Sequence, residues 1–414
     1  MNLTLTPHAL GGIVVAPASK SLAHRLLICG ALSDGPVKIL CPEASADIDA
    51  TVRCLCALGA DISRCGDIYM VYPLEMPRGD VILDCGESGS TLRFLISVAG
   101  ALGISADFLL RGSLRRRPIA PLLKVLEQKG LTFSFPDEGR LHMEGRLQSG
   151  NFEIAGNISS QFISGLLMAL PLTGRDSDIM LTSPLVSAPY ADLTAAAMKQ
   201  FGICAESTQE GWHLSGSQSY TSCGRIAVEG DWTNAALWLC VGAVSAPVTV
   251  TGLNLSSVQG DRKILSILKA FGAEVSAEAD RVTVSPASLH GIDIDASDIP
   301  DLVPALALLG TCARGTTRIT GAGRLRYKES DRLSSVADTL NTLGGSAEVT
   351  PDGLIIRGSA LHGGSVNSFG DHRIAMLAGA CSSVADGPIC LEGAEAVSKS
   401  YPRFWEDYKK LVIL

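Results

Sequence analysis

The sequence predicts an α/β fold of six repeats of about 70 residues, each βαβαββ, shared between two domains. Two series of positions carry this. Six polar segments open apolar helical runs at Lys20, Ser90, Ser160, Asp231, Asp301 and Asp371, in steps of 70 or 71 residues. Five further helices end at Gly59, Gly130, Gly202, Gly272 and Gly344, in steps of 70 to 72. Glycine there fits the left-handed residue that commonly closes a helix. A chain of 414 residues also exceeds one core, and two domains of three repeats fit domain sizes.

Two short strands, NLTLTP and GGIVVAP, come first. The first helix of each repeat is a run such as LAHRLLICGAL or FISGLLMALPL, whose apolar residues recur at helical spacing. A short β-rich run follows: PVKILC, ADFLLRG, DIMLTS, PVTVTG, TTRITG or PICLEG. The second helix reads ATVRCLCALG, LLKVLEQKG, LTAAAMKQFG, ILSILKAFG or VADTLNTLGG. A hairpin closes the unit, as in LTFSF with RLHMEG and AEVS with RVTVSP. The sixth repeat stops after the helix PRFWEDYKKL with no hairpin, so the N-terminal strand is expected to complete it. The expected domains are residues 13–226, and residues 1–12 with 227–414.

Hydrophobic residues make up 46% of the chain and charged residues 18%, the composition of a packed protein rather than a disordered one. No apolar run reaches the roughly 20 residues that span a bilayer, and MNLTLTPHAL lacks the basic and apolar regions of a signal peptide. Twelve cysteines without an export signal point to reduced thiols in a cytoplasm. No CxxC pair occurs and the seven histidines are scattered, which speaks against a structural metal site. A net charge of −8 speaks against nucleic acid as a partner.

The cations are unevenly placed. Lys20, Arg25, Arg93, Arg115, Arg116, Arg117, Lys328, Arg332, Arg373 and Lys399 sit at or near helix starts. Free N–H groups and the helix dipole already favour anions there, so added Lys and Arg point to a small anionic ligand. Each motif also has a plainer reading. Ser19 and Ser21 serve equally as helix caps, as do Asp231, Asp301 and Asp371. Glu87-Ser88-Gly89-Ser90 is either an anion-cradling turn or an ordinary capped helix. Ser159, Ser160, Gln161, Ser187 and Tyr190 are neutral donors suited to a hydroxylated or phosphorylated ligand, or simply caps and surface groups. Arg115-Arg116-Arg117-Pro118 opposes a helix dipole unless an anion is near. Lys328-Glu329-Ser330-Asp331-Arg332 places Lys328 and Arg332 on one face if it is helical.

Taken in order, PASKSLAHR, ESGSTLRF, RRRPI, ISSQF, VSAPY, IPD, KESDR, DHR and SKSYP resemble the enolpyruvyl transferase family end to end, in the branch that acts on shikimate 3-phosphate. The resemblance implies a two-domain fold with three βαβαββ units around a pseudo-threefold axis in each domain. It implies transfer of the enolpyruvyl group of phosphoenolpyruvate to the 5-hydroxyl of shikimate 3-phosphate, without metal or organic cofactor; a monomer is the default expectation. Shikimate 3-phosphate would then be held by Lys20, Ser21, Arg25, Ser159, Ser160, Gln161, Ser187, Tyr190, Asp301 and Lys328. Phosphoenolpyruvate would be held by Lys20, Gly89, Arg117, Gln161, Arg332, Arg373 and Lys399. Asp301 would take the hydroxyl proton, with Glu329 and Lys20 moving protons at the enolpyruvyl carbon. The chain departs from the family pattern at Glu87, where Asn is frequent, and at Arg324, where some members carry Asn. Enzymes acting on a UDP-linked amino sugar carry Lys-Asn near the N-terminus and a loop Cys. Here Ser21 follows Lys20, and residues 111–118 contain no Cys. A non-catalytic phospholigand binder is the other alternative; it would need the cations but not Asp301 and Glu329.

Overall fold

The computed structural model describes residues 1–75 and 81–413. The chain folds as two compact units, Ala18–Val228 and Met1–Pro17 with Glu229–Leu414, each around its own apolar core.

Within Ala18–Val228, Val81–Asp84 runs parallel to Ala106–Leu109. The helix Gly89–Leu102 makes the crossover that a parallel pair requires. The hairpin Leu131–Asp137 and Arg140–Gly145 returns so that its second strand pairs with Ala106–Leu109. The sheet order is therefore first, second, fourth, third, and it recurs through the molecule. The opening sheet takes its first strand from the far end of the unit, because Arg225–Ala227 pairs in parallel with Val37–Leu40.

The other unit uses the same device. Gly12–Val15 is the parallel first strand beside Val248–Thr251. Residues 13–17, expected with the N-terminal domain, thus belong to the C-terminal unit, and residues 227 and 228 belong to the other. The physical reason is ladder pairing: a strand lies where its backbone groups find partners, whatever its place in the chain. In the last sheet Gly364–Asn367 is parallel to Ile389–Glu392, and Asn2–Leu5 pairs antiparallel with Ile389–Glu392 in the place of a hairpin strand.

All five predicted glycine endings have positive φ, from 80° at Gly202 to 108° at Gly59. At Gly59 a Cβ would overlap the Glu75 carbonyl, so no side chain fits. The inner helices are apolar all round and buried. Trp232–Val244, Val303–Cys312 and His372–Cys381 pack on one another inside their unit. With no wet face, such a helix can place polar groups only at its ends, where unpaired N–H groups need acceptors. That rule puts the charged residues at the helix starts.

Two local expectations change. The helix after the triple arginine begins at Ala120, beyond a 3-10 turn over Gly112–Arg116, so Pro118 lies outside it. Lys328 and Arg332 do not share a helical face. Lys328 follows the 3-10 turn Gly323–Tyr327, and the helix Arg332–Thr342 starts four residues later, capped by Asp331.

Candidate active site

Each unit gathers part of the predicted set. In Ala18–Val228 the helix Lys20–Leu32 starts at the cap Ser19 and sends the Lys20 ammonium to Asp47 at 2.9 Å. Asp47 opens the helix Ala46–Ala57, and sequence reading missed it because only the fold brings it within reach of Lys20. A hydrogen-bond chain, His24 to Thr51 to Thr91 to Ser88, ties the helices Lys20–Leu32 and Ala46–Ala57 to the start of Gly89–Leu102 with links of 2.7 Å. Burial pulls the His24 pKa down to about 3, so this imidazole stays neutral.

Arg25 is buried, and four of its five N–H groups are engaged. Nε donates to Thr194 Oγ1 at 2.7 Å and Nη1 to the Ser21 carbonyl at 2.6 Å. Nη2 donates to Ser164 Oγ at 3.1 Å and to the Tyr190 carbonyl at 3.0 Å. The guanidinium also lies over the Phe94 ring. Burial lowers its pKa to about 10, which leaves it charged at neutral pH. Ser187 precedes the Tyr190 turn in a left-handed conformation, φ 56° and ψ 40°, while buried. A non-glycine residue pays about 1–3 kcal/mol for such a backbone, a strain that clusters at functional positions.

A second group surrounds Gly89. A Cβ there would lie 2.5 Å from Arg93 Nη1 and 3.0 Å from Arg117 Nη1, so glycine is what lets two guanidinium groups lie against this helix start. Arg93 donates to Gln161 Oε1 at 3.0 Å, and Gln161 Nε2 donates to Ser90 Oγ at 2.9 Å. Ser159 caps the helix carrying buried Ser160 and half-buried Gln161. Of the triple arginine, Arg115 donates to the Leu110 carbonyl at 3.0 Å, Arg116 is exposed, and Arg117 reaches Gly89. Glu87 places its carboxylate against Gly112. Arg93 and Ser90 join this group although only their helix-start position signalled them.

In the other unit a buried Arg332 organises three carboxylates. Nη1 donates to Asp301 at 2.7 Å, Nη2 to Glu329 at 2.6 Å, and Nε to Asp371 at 2.9 Å. Nη2 also reaches Asp371 Oδ1 at 3.2 Å. The guanidinium predicted to grip a ligand is thus mostly spent inside the protein. Lys328 Nζ lies 3.3 Å from Asp301, and Lys399 Nζ lies 3.7 Å from Glu329. Asp301 lies in the 3-10 turn Pro300–Leu302 ahead of its helix rather than capping it. Burial alone would raise its pKa, but Lys328, Arg332 and Arg373 together hold the carboxyl well below its ordinary range. Arg373, in the first turn of His372–Cys381, donates to Asn234 Oδ1 at 2.8 Å. Arg324 bonds the Ser297 carbonyl.

Among the described residues, five four-stranded sheets of one order, a sixth of three strands and charged helix starts point to the enolpyruvyl transferase class. An enolpyruvyl transferase structure, NikO from Streptomyces tendae, superposes with a TM-score of 0.77 over 99% of this chain and 97% of that one, at 20% identity, a likeness of fold alone. An EPSP synthase structure from Acinetobacter baumannii gives a TM-score of 0.84 at 25% identity, covering 99% and 98%. A 3-phosphoshikimate 1-carboxyvinyltransferase of Clostridium kluyveri is 40% identical over 99% of this chain and 97% of its own. Residues 5–408 match the family described as EPSP synthase (3-phosphoshikimate 1-carboxyvinyltransferase), and the chain belongs to that family.

Proposed function

We propose that this protein transfers the enolpyruvyl group of phosphoenolpyruvate to the 5-hydroxyl of shikimate 3-phosphate and releases phosphate, a step of aromatic amino acid biosynthesis. The observation that carries the reading is the Asp301 carboxylate, held ionised between Lys328 and Arg332 in a cluster rich in cations.

The hydroxyl oxygen attacks C2 of phosphoenolpyruvate as Asp301 takes its proton, and C3 gains a proton. C3 then loses a proton as the C2–O bond to phosphate breaks. Asp301 is a weak base while its cations have no other partner. Incoming phosphate and carboxylate groups draw on the same positive charge, which raises its basicity when substrates are present. The Lys20 ammonium suits proton delivery to C3, and the Glu329 carboxylate suits its removal. Shikimate 3-phosphate is assigned to Lys20, Ser21, Ser159, Ser160, Gln161, Ser187, Tyr190 and Lys328. Arg25 shapes that set by holding the Ser21 and Tyr190 carbonyls. Phosphoenolpyruvate is assigned to Lys20, Gly89, Arg117, Gln161, Arg373 and Lys399, with the remaining N–H of Arg332. The enzyme is read as a cytoplasmic monomer; among the described residues no helix is long and apolar enough to cross a membrane.

Phosphate release tests the proposal. It is expected only when both substrates are present, and silence from folded protein refutes it. Asp301→Asn should lower turnover by about 10²–10⁴ and leave binding; a mere phospholigand binder would have no turnover to lose.

A further inference from the structure

The site described above leaves three buried polar groups unexplained, and all lie at helix starts of the Met1–Pro17 and Glu229–Leu414 unit. Asn234, in the first turn of Trp232–Val244, accepts from Arg373 Nη1 at 2.8 Å. Arginine only donates, so the amide must show it the oxygen, and Nδ2 faces elsewhere. Thr233, in the same turn, donates to Asp261 Oδ2. The Asn234 backbone N–H is fixed by Asp231 at 2.7 Å, and that of Trp232 by Gln259 at 3.1 Å. Asn234, Asp261 and Arg373 are only 1%, 3% and 8% exposed. Among the described residues, Asn234 Nδ2, Asp261 Oδ1 and Arg373 Nε make no hydrogen bond. Arg373 is therefore steadied from its Nη1 side while its Nε edge stays uncommitted.

We propose that Asn234 is the positioning residue for Arg373, and that Asp261, acting through Thr233, fixes the helix turn that carries Asn234. The inference deepens the proposed function, since it rests on Arg373 gripping phosphoenolpyruvate. A long guanidinium side chain loses rotamer freedom when it binds an anion. Holding one of its nitrogens beforehand removes part of that cost, so the effect belongs to one substrate.

The surroundings of Asp261 add a second readout. It faces Thr233 and Asp231 at the start of one helix, Asp301 in the turn before another, and Arg373 in a third. Burial, reinforced by Asp301 and Asp231, pushes its pKa up to about 7 against Thr233 and Arg373. Above that pH it becomes an anion close to Arg373 and competes with an anionic ligand for the guanidinium.

Steady-state kinetics with crystal structures test this. Asn234→Ala should raise KM for phosphoenolpyruvate about tenfold, with kcat and the other KM changed less than about twofold. Asn234→Asp, which keeps an acceptor facing Arg373 but adds a charge that competes with the ligand, should hold Arg373 in place without restoring KM. Asp261→Asn should flatten the rise of that KM above neutral pH. An unchanged KM in Asn234→Ala, or a parallel loss of every parameter with a lowered Tm, overturns the inference. The structures answer independently of turnover. Arg373 should shift in Asn234→Ala and stay in Asn234→Asp, and an unmoved Arg373 in the alanine variant overturns it too. A wild-type protein without transfer activity would instead refute the proposed function, while the position of Arg373 would still decide this point.

Discussion

At Asp301 two cations contact one carboxylate, and removing its charge separates chemistry from architecture. Asp301→Asn should lower turnover by about 10²–10⁴, the range of a lost general base. Arg332 keeps Glu329 and Asp371, so the fold should persist. Phosphate release and a ligand-induced Tm shift on the same sample check both halves. Asp261 makes a different prediction, about stability. Its carboxyl has the ordinary aspartate pKa when unfolded and about 7 when folded. Between those values the folded state holds the extra proton. Its contribution is therefore full below the ordinary aspartate range and is lost as pH rises through about 7. Asp261→Asn stays neutral throughout. Its Tm relative to wild type should rise from about pH 5 to about pH 8, as followed by thermal melts.

At the scale of an element, the start of Gly89–Leu102 couples backbone space to charge. Gly89→Ala favours the helix by removing backbone freedom, about 0.5–1 kcal/mol in a helix interior and less at a terminus. The new Cβ, however, occupies the place of the Arg93 and Arg117 guanidinium groups. Unchanged or raised Tm together with a raised KM for phosphoenolpyruvate is expected. Gly59→Ala should do the reverse. A positive φ and the Glu75 carbonyl leave no room, so stability should fall by about 1–3 kcal/mol in denaturant melts, with kinetics of surviving protein unchanged.

Elements were also where the sequence was most readable. Helix starts and glycine endings repeat because caps and left-handed turns are local chemistry, written in a few adjacent residues. The partners of Lys20 and Arg373 were not readable. Asp47 and Asn234 lie 27 and 139 residues away from them, and only the packed fold brings them close. The unit boundary failed for the same reason. Nothing within GGIVVAP says that its ladder partner is Val248–Thr251. Whether Lys328 lies on a helix was not readable either, because charge spacing alone cannot distinguish a helix from the turn before one.

On the scale of the whole molecule, strand exchange makes the two units unequal. Ala18–Val228 contains every strand of its three sheets. Residues 229–414 lack Gly12–Val15 and Asn2–Leu5, and with them the core residues Leu5, Leu10 and Val14. A fragment of residues 18–228 should melt cooperatively alone, whereas residues 229–414 without the first 17 should not. Circular dichroism melts of the two fragments check this, and a cooperative transition in the second would refute it.

The same exchange sets an order of events during synthesis. A ribosome reading from the amino end can finish the first unit while the rest is still unmade. The strand Asn2–Leu5 has by then emerged with no ladder to join, and waits for Ile389–Glu392, which is made far later. Through that interval the backbone groups of the strand stay unpaired, a target for chaperones that bind extended chains.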